Sequence, residues 1–414
     1  MSGGVVFIGS PGPVFPTTPV GQPLWPTPFG ELRVASPWTM ADLVNKYEID
    51  ARTYGTSVAT GGTVTHVPAQ SAIQLAVTAS SGSTAKLRTH TYYRYQAGKA
   101  LRWRTTGYHT DTGQAGQTRE WGFFDENDGL LFQLVGTSLF VTQRSSTSGA
   151  PVDTQIAKAS WNWDKMDGTG PSQMTLDLTK ANIYEAAFQW LGVGIVQFFV
   201  NGWLVHTFSN PNTLTVPYMK TAQLPMSWTV LNTGASSVGG FTYLCASVFV
   251  EGGSTPQFTT FGASNAVQKT IGVTEVPLIS IRPKLTYNSI ENRMLILPFR
   301  FSVSTEGQRA GYRLVMNPTL TAASWSSADA ASGVEFDVAA TSGTGGQELL
   351  RGFLPNNDDA VDVSLDLFFT EHAFGRVLRR DAFLAITDIL TLYAVNEGGG
   401  FTLLRGGMAW QEIR

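Results

Sequence analysis

The chain has 414 residues and a formal net charge of -3, and its charged residues make up only 14%, against ~25% in average soluble proteins. That length exceeds one ordinary core and predicts two domains. Neither half is basic, since residues 1–275 hold 16 basic and 16 acidic side chains and residues 276–414 hold 12 and 15. This argues against nucleic acid and anionic membrane as partners, because both need clustered Lys and Arg to neutralise phosphate. An uncharged, Gly-rich surface suits a turn-rich β-protein, and it equally suits one whose surface is occupied by other subunits.

The opening MSGGVVFIGSPGPVFP has neither the basic region nor the apolar core of a signal peptide, and no run of about 18 apolar residues occurs. A soluble protein is expected. Residues 1–35 carry no side-chain charge before Glu31 and are studded with Gly and Pro. Proline fixes φ and removes a donor, so the stretch reads as an extended arm. Val5, Phe7, Phe15, Trp25 and Phe29 would be poorly placed on a free tail, and they are the expected docking residues toward another protein or another copy.

Ser36 to Tyr47 holds the one convincing helix start, with Thr39 and Asp42 approximating a capping box ahead of Met40, Leu43 and Val44. Dense strand patterns follow up to Arg144, broken by Gly, Ser, Asn and Asp clusters at sandwich spacing. Asp125 to Gly129 is a tight turn between two of them. From Ser160 to Gly170 the chain is irregular and holds Trp161 and Trp163.

Glu185 to Phe208 is the clearest hairpin, turning at Asn201-Gly202. Direct pairing from that turn sets Gln197 opposite His206, and both faces come out largely apolar. A strand pair in the middle of a doubly covered sheet is expected. Two more strands, then Gly and Ser, close a larger lectin-like or jelly-roll sandwich over 36–255. Residues 256–275 read as a linker, and eight strand patterns over 276–414 predict a smaller sandwich, with a helical turn as the alternative at Ala373 to Arg380. The fold class is thus all-β.

No catalytic set emerges, and no enzyme is expected. Glu120, Asp125, Glu126 and Asp128 form the densest carboxylate group, but three of the four sit in a turn, where Asp serves the backbone. The same turn lacks the full calcium loop, as does Asn356 to Asp359 with Asp362, and the five histidines are scattered, so no metal or cofactor is assigned. Cys245 is the single cysteine and sits in an apolar strand pattern. Gly192-Val193-Gly194 lacks the third glycine of a dinucleotide loop. Trp190 and Trp203 read as core, whereas Trp161 and Trp163 in loop sequence, with His206, are the candidate ligand-binding residues, aromatic rings being suited to stacking on sugars.

One longer pattern remains. Trp161, Asn162, Asp164, Asp167 and Gly168 are followed by Ser172, Leu176, Asp177, Lys180, Asn182 and Ile183. Gln189 to Gly194, Leu224 with Pro225, and Asn232 to Gly234 then complete the series. This order, with FGELRV from Phe29 and WQEIR from Trp410, resembles structural proteins of tailed bacteriophages and some large DNA viruses. The resemblance implies a virion component of the tail, fibre or minor structural type, in which the arm docks onto other virion proteins. A trimer is the favoured assembly and host-surface glycan a candidate ligand. The alternatives are a capsid decoration or cement protein, and a polysaccharide depolymerase or sugar-binding module.

Overall fold

A computed structural model of the chain describes residues 27–28, 37–234, 238–253, 257–355, 358–365 and 377–414. The docking arm with Val5, Phe7, Phe15, Trp25 and Phe29 lies outside the described residues, as do Asn356, Asn357 and Ala373 to Arg376. The chain divides into two compact units. Unit 1 comprises residues 1–49, 57–87 and 93–254, and unit 2 comprises residues 50–56, 88–92 and 255–414.

The first fifteen strands run in chain order. They are β1 (Trp38–Val44), β2 (Tyr54–Ala59), β3 (Thr63–Val67), β4 (Ala72–Val77), β5 (Ser83–Thr89), β6 (Leu101–His109), β7 (Gln117–Phe124) and β8 (Gly129–Val135). Then come β9 (Ser138–Ser145), β10 (Val152–Ala157), β11 (Asn182–Phe188), β12 (Ile195–Val200), β13 (Trp203–Ser209), β14 (Met226–Asn232) and β15 (Gly239–Val250). They form two sheets. One runs β13-β12-β11-β6-β15-β4-β3, with β1 also on β15, and the other runs β10-β9-β8-β7-β14-β5-β2.

Between these sheets lies an aromatic core. Trp121 stacks on Phe132 and Phe241 and meets Tyr184 edge-on, while Trp228 stacks on Tyr243 at 3.9 Å. Trp103, Trp121 and Trp228 are fully buried. The expected helix at 36–47 is a strand instead. β1 pairs antiparallel with β15 and has a bulge between Thr39 and Ala41, which places Met40 and Leu43 in buried positions. Burial against a sheet has overridden a local capping signal.

The hairpin turns at Asn201 and Gly202, both with positive φ, as its sequence demands. Its register and position differ from expectation. A bulge at Val205 sets Phe198 opposite His206 and Val196 opposite Phe208, so these two rings move to the inner face, where Phe208 packs on Phe198. The pair is also not central, because β13 is an edge strand. Its outer face is nonetheless buried at Phe199 and Leu204, which pack with Ala187 of β11.

Unit 2 has its own aliphatic core, centred on Leu278, Ile279, Ile281, Phe301, Leu392 and Trp410. A five-stranded sheet is built around Thr402–Ile413, and a six-stranded sheet includes Val276–Pro283 and Leu390–Asn396. The stretch expected as a linker contributes two strands, Phe258–Ser264 and Lys269–Ile271, both paired with Thr402–Ile413. Among the described residues no helix is long and apolar enough to cross a membrane.

Candidate functional site

The three residues picked out for ligand binding are not brought together on one surface. Trp161 is 3% exposed, its indole nitrogen donates to the Ile156 carbonyl at 3.2 Å, and its ring lies edge-on to Phe132. It is packing, with no face left for a sugar. His206 is buried, accepts the Asn162 N–H at Nδ1 and meets Phe208 edge-on at 4.8 Å. Burial pushes its pKa down to about 4, so the ring is neutral at pH 7. Trp163 alone keeps substantial exposure, at 37%.

The residues that carry the viral resemblance serve the backbone. Asn162 donates to the Thr207 carbonyl at 3.0 Å and accepts the Thr207 N–H at 2.9 Å, continuing the ladder of β13 by side chain. Asp164 is buried and accepts the N–H groups of Met166 and Ser172, each at 2.7 Å. Asn182 donates to the carbonyls of Asp177 and Lys180 and accepts from the Asn201 amide. These bonds fix the 161–182 loop along β13. In WQEIR the fully buried Glu412 accepts from Ser332, the Gly333 N–H and the Trp410 indole. Gly192 to Gly194 is likewise a turn, since a Cβ on Gly194 would fall 1.9 Å from the Gln189 carbonyl oxygen.

The carboxylate-rich turn resolves into separate roles. Asp125 accepts the N–H groups of Asn127 and Asp128, closing its own turn. Asp128 is 1% exposed and accepts from Ser146 and the Lys220 N–H, tying three loops together. Of the turn's carboxylates Glu126 is the exposed one, paired with Lys86 at 3.3 Å. Among the described residues no cluster of His, Cys, Asp and Glu has the makings of a metal site.

Glu120 belongs to a different group, on the outer face of the seven-stranded sheet. β7 to β10 form a meander in consecutive antiparallel register. Side chains alternate along each strand, so Trp121, Phe132 and Val141 enter the core while Glu120, Gln133, Thr142, Arg144, Asp153 and Gln155 point away from it. Arg144 donates to Glu120 at 2.7 Å and through two nitrogens to Asp153 at 2.8 and 2.9 Å. The Gln133 amide donates to Glu120 and Asp153, and its oxygen accepts from Thr142 and Gln155. Gly129 stands between Phe124 and Arg144 in the ladder, and the Arg144 guanidinium lies 5.6 Å from the Phe124 ring. Gln133 and Thr142 are buried beneath, Glu120, Arg144 and Asp153 keep between 13% and 25% exposure, and Gln155 is open to solvent.

No family model matches the chain, and no curated protein sequence matches it significantly. Solved structures align with about half of it or more. An endo-1,3-beta-glucanase from Streptomyces sioyaensis is 12% identical over 52% of this chain and 96% of its own, with a TM-score of 0.38. The carbohydrate recognition domain of Emp47p is 12% identical over 51% and 94%, with a TM-score of 0.34. The binding domain of botulinum neurotoxin DC, solved with rat synaptotagmin II, is 12% identical over 65% and 74%, at 0.33. At these scores and identities the alignments transfer no ligand and no residue to this chain.

The chemistry of the sheet face follows from its own groups. Burial works to raise the Asp153 pKa, but the Arg144 hydrogen bond and charge and the Gln133 hydrogen bond outweigh it and hold the carboxyl below the usual range. Asp153 is therefore ionised at neutral pH and has no proton to give a leaving group. Along β7 the next outward positions after Glu120 are Gly122 and Phe124, so no second acid shares its strand face. The face offers fixed donors and acceptors at close spacing. Of these residues only Glu120 stood out in sequence. The signal for Gln133, Arg144, Asp153 and Gln155 was the meander itself, whose short turns place alternate polar residues of four strands on one face.

Proposed function

We propose that this chain is a virion structural protein of the tail or fibre type whose larger sandwich binds host-surface glycan on the outer face of β7 to β10. The observation that carries the binding site is the Arg144 network, in which six polar side chains from four adjacent strands are held in one hydrogen-bonded array beside the Phe124 ring. Glycan hydroxyls both donate and accept. A preordered set of carboxylate, amide and guanidinium groups meets them with little further loss of side-chain freedom.

The virion assignment rests on the motif order from Trp161 to Gly234 and on the N-terminal arm, without side-chain charge before Glu31, which docks onto other virion proteins. The particle-bound form is a homo-oligomer, and a trimer is favoured. Binding without hydrolysis is the proposed activity, because one nitrogen of Arg144 holds both Glu120 and Asp153 and so ties up the two carboxylates that hydrolysis would need.

A glycan array printed with bacterial capsule and lipopolysaccharide fragments tests the binding half. The wild-type chain is expected to retain at least one glycan and Arg144→Ala to lose it. No retention by the wild type, or equal retention by the variant, overturns the site. New reducing ends appearing in the presence of the wild type would replace binding by hydrolysis. Peptide mass spectrometry of purified particles tests the virion half, which fails if the chain is absent from them.

A further inference from the structure

A second polar cluster lies inside unit 1, between the two sheets. His109 comes from the inner face of β6, Arg119 and Trp121 from the inner face of β7, and none is more than 1% exposed. The His109 and Trp121 ring centres are 4.6 Å apart. Arg119 directs one nitrogen, Nη2, to Asp111 at 2.8 and 2.9 Å and to Gln117 at 2.9 Å. Its Nε and Nη1, the indole nitrogen of Trp121 and both ring nitrogens of His109 have no protein partner.

These groups are almost all donors. Guanidinium and indole nitrogens cannot accept, and a neutral imidazole brings one N–H for its one bare nitrogen. Burial first, then the Arg119 charge, lowers the His109 pKa to about 3, so the ring is neutral at pH 7. Asp111, the one carboxylate on Arg119, is 24% exposed and engages only Nη2. Buried donors are satisfied in nearly all native proteins, by protein, water or an ion. Here no protein acceptor meets them, and a sandwich core offers no large solvent channel for rearrangement.

We propose that His109, Arg119 and Trp121 enclose a closed site for one small hydrogen-bond acceptor, a halide ion or an internal water, that bridges the two sheets. The guanidinium and indole N–H groups donate to it, and His109 completes the shell from the opposite sheet. This site is independent of the glycan face, which occupies the other side of β7.

The test is a crystal structure of the full chain expressed, purified and crystallised in sodium bromide, with anomalous data at the bromine edge. An anomalous peak within hydrogen-bond reach of the Arg119 Nε or Nη1 and the Trp121 indole identifies a halide. An ordered oxygen at that place without anomalous signal identifies water. Empty density there, or donors found paired to protein groups, overturns the proposal. In solution, Trp121→Phe keeps the ring and removes one donor. It is expected to lose the halide-dependent rise in melting temperature or, for water, one long-lived internal water in magnetic relaxation dispersion. His109→Phe serves as the second variant if the first does not fold. Unchanged halide response and water count in the folded variant would also contradict the site.

Discussion

On the outer face of β7, Glu120 meets Arg144, Gln133 and, through them, Asp153, and each of these polar groups has a protein partner. On the inner face, one residue away in either direction, Arg119 and Trp121 are buried with donors that no protein group receives. Both clusters are built on an arginine beside a carboxylate, and both are anchored on one strand. The difference lies in dielectric and in neighbours. At the surface a meander of four strands supplies enough polar side chains to close a network, and water relaxes what is left. Between the sheets the neighbours are Phe132, Tyr184 and Phe241 rings, so the polar residues depend on whatever small acceptor the core encloses. The surface cluster is thus suited to exchange partners with a ligand, and the inner one to stay as it is.

Arg119→Met should have the largest effect, because it removes a buried charge from Asp111 and Gln117. A loss of about 3 kcal/mol is expected in urea denaturation. A loss no larger than that of Arg144→Ala would place the inner cluster on the same footing as the outer one.

Acid should separate the faces next. The folded-state pKa of His109 is about 3 and that of His206 about 4, both below the unfolded value of 6.5. The unfolded chain therefore takes up protons first. Stability is full well above pH 6.5 and falls as the pH drops toward 3, with His109 alone contributing a loss of roughly 2 kcal/mol at pH 5. His109→Gln should flatten that slope in melts between pH 7 and 5, and an unchanged slope would show that the ring is already hydrated.

Arg144→Ala should cost less, roughly 1 to 2 kcal/mol, because Glu120 and Asp153 keep Gln133 and gain water. Its stability loss should grow as pH rises through the carboxylate range, because Arg144 helps hold the Asp153 carboxyl below its usual range. The smallest change is expected for Asn162→Ala, about 1 kcal/mol, with faster amide exchange at Thr207 as the local readout.

Much of this fold was legible because its signals are local. Asn201 and Gly202 dictate a turn, and alternation in β7 to β9 dictates an inner face. What was not legible depended on tertiary partners. The bulge at Val205, which carries His206 inward, has no marker in the hairpin sequence. Thr39 and Asp42 look like a helix start until β15 supplies a ladder for β1. Trp161 reads as a loop residue, yet the loop folds back and its ring reaches Phe132. For the candidate site, residue type alone drew attention to carboxylates in a turn, whereas the network depends on register across four strands.

Glycan is proposed to bind on the face carrying Arg144. The most direct measurement is a nuclear magnetic resonance titration of the full chain with a glycan retained on the array, following the Arg144 Nε–H and the Gln155 side-chain amide. Both signals are expected to shift together and saturate with the same affinity, while the Trp121 indole signal in the core stays unmoved. Saturating shifts confined to other residues, with Arg144 and Gln155 unaffected, would contradict the account.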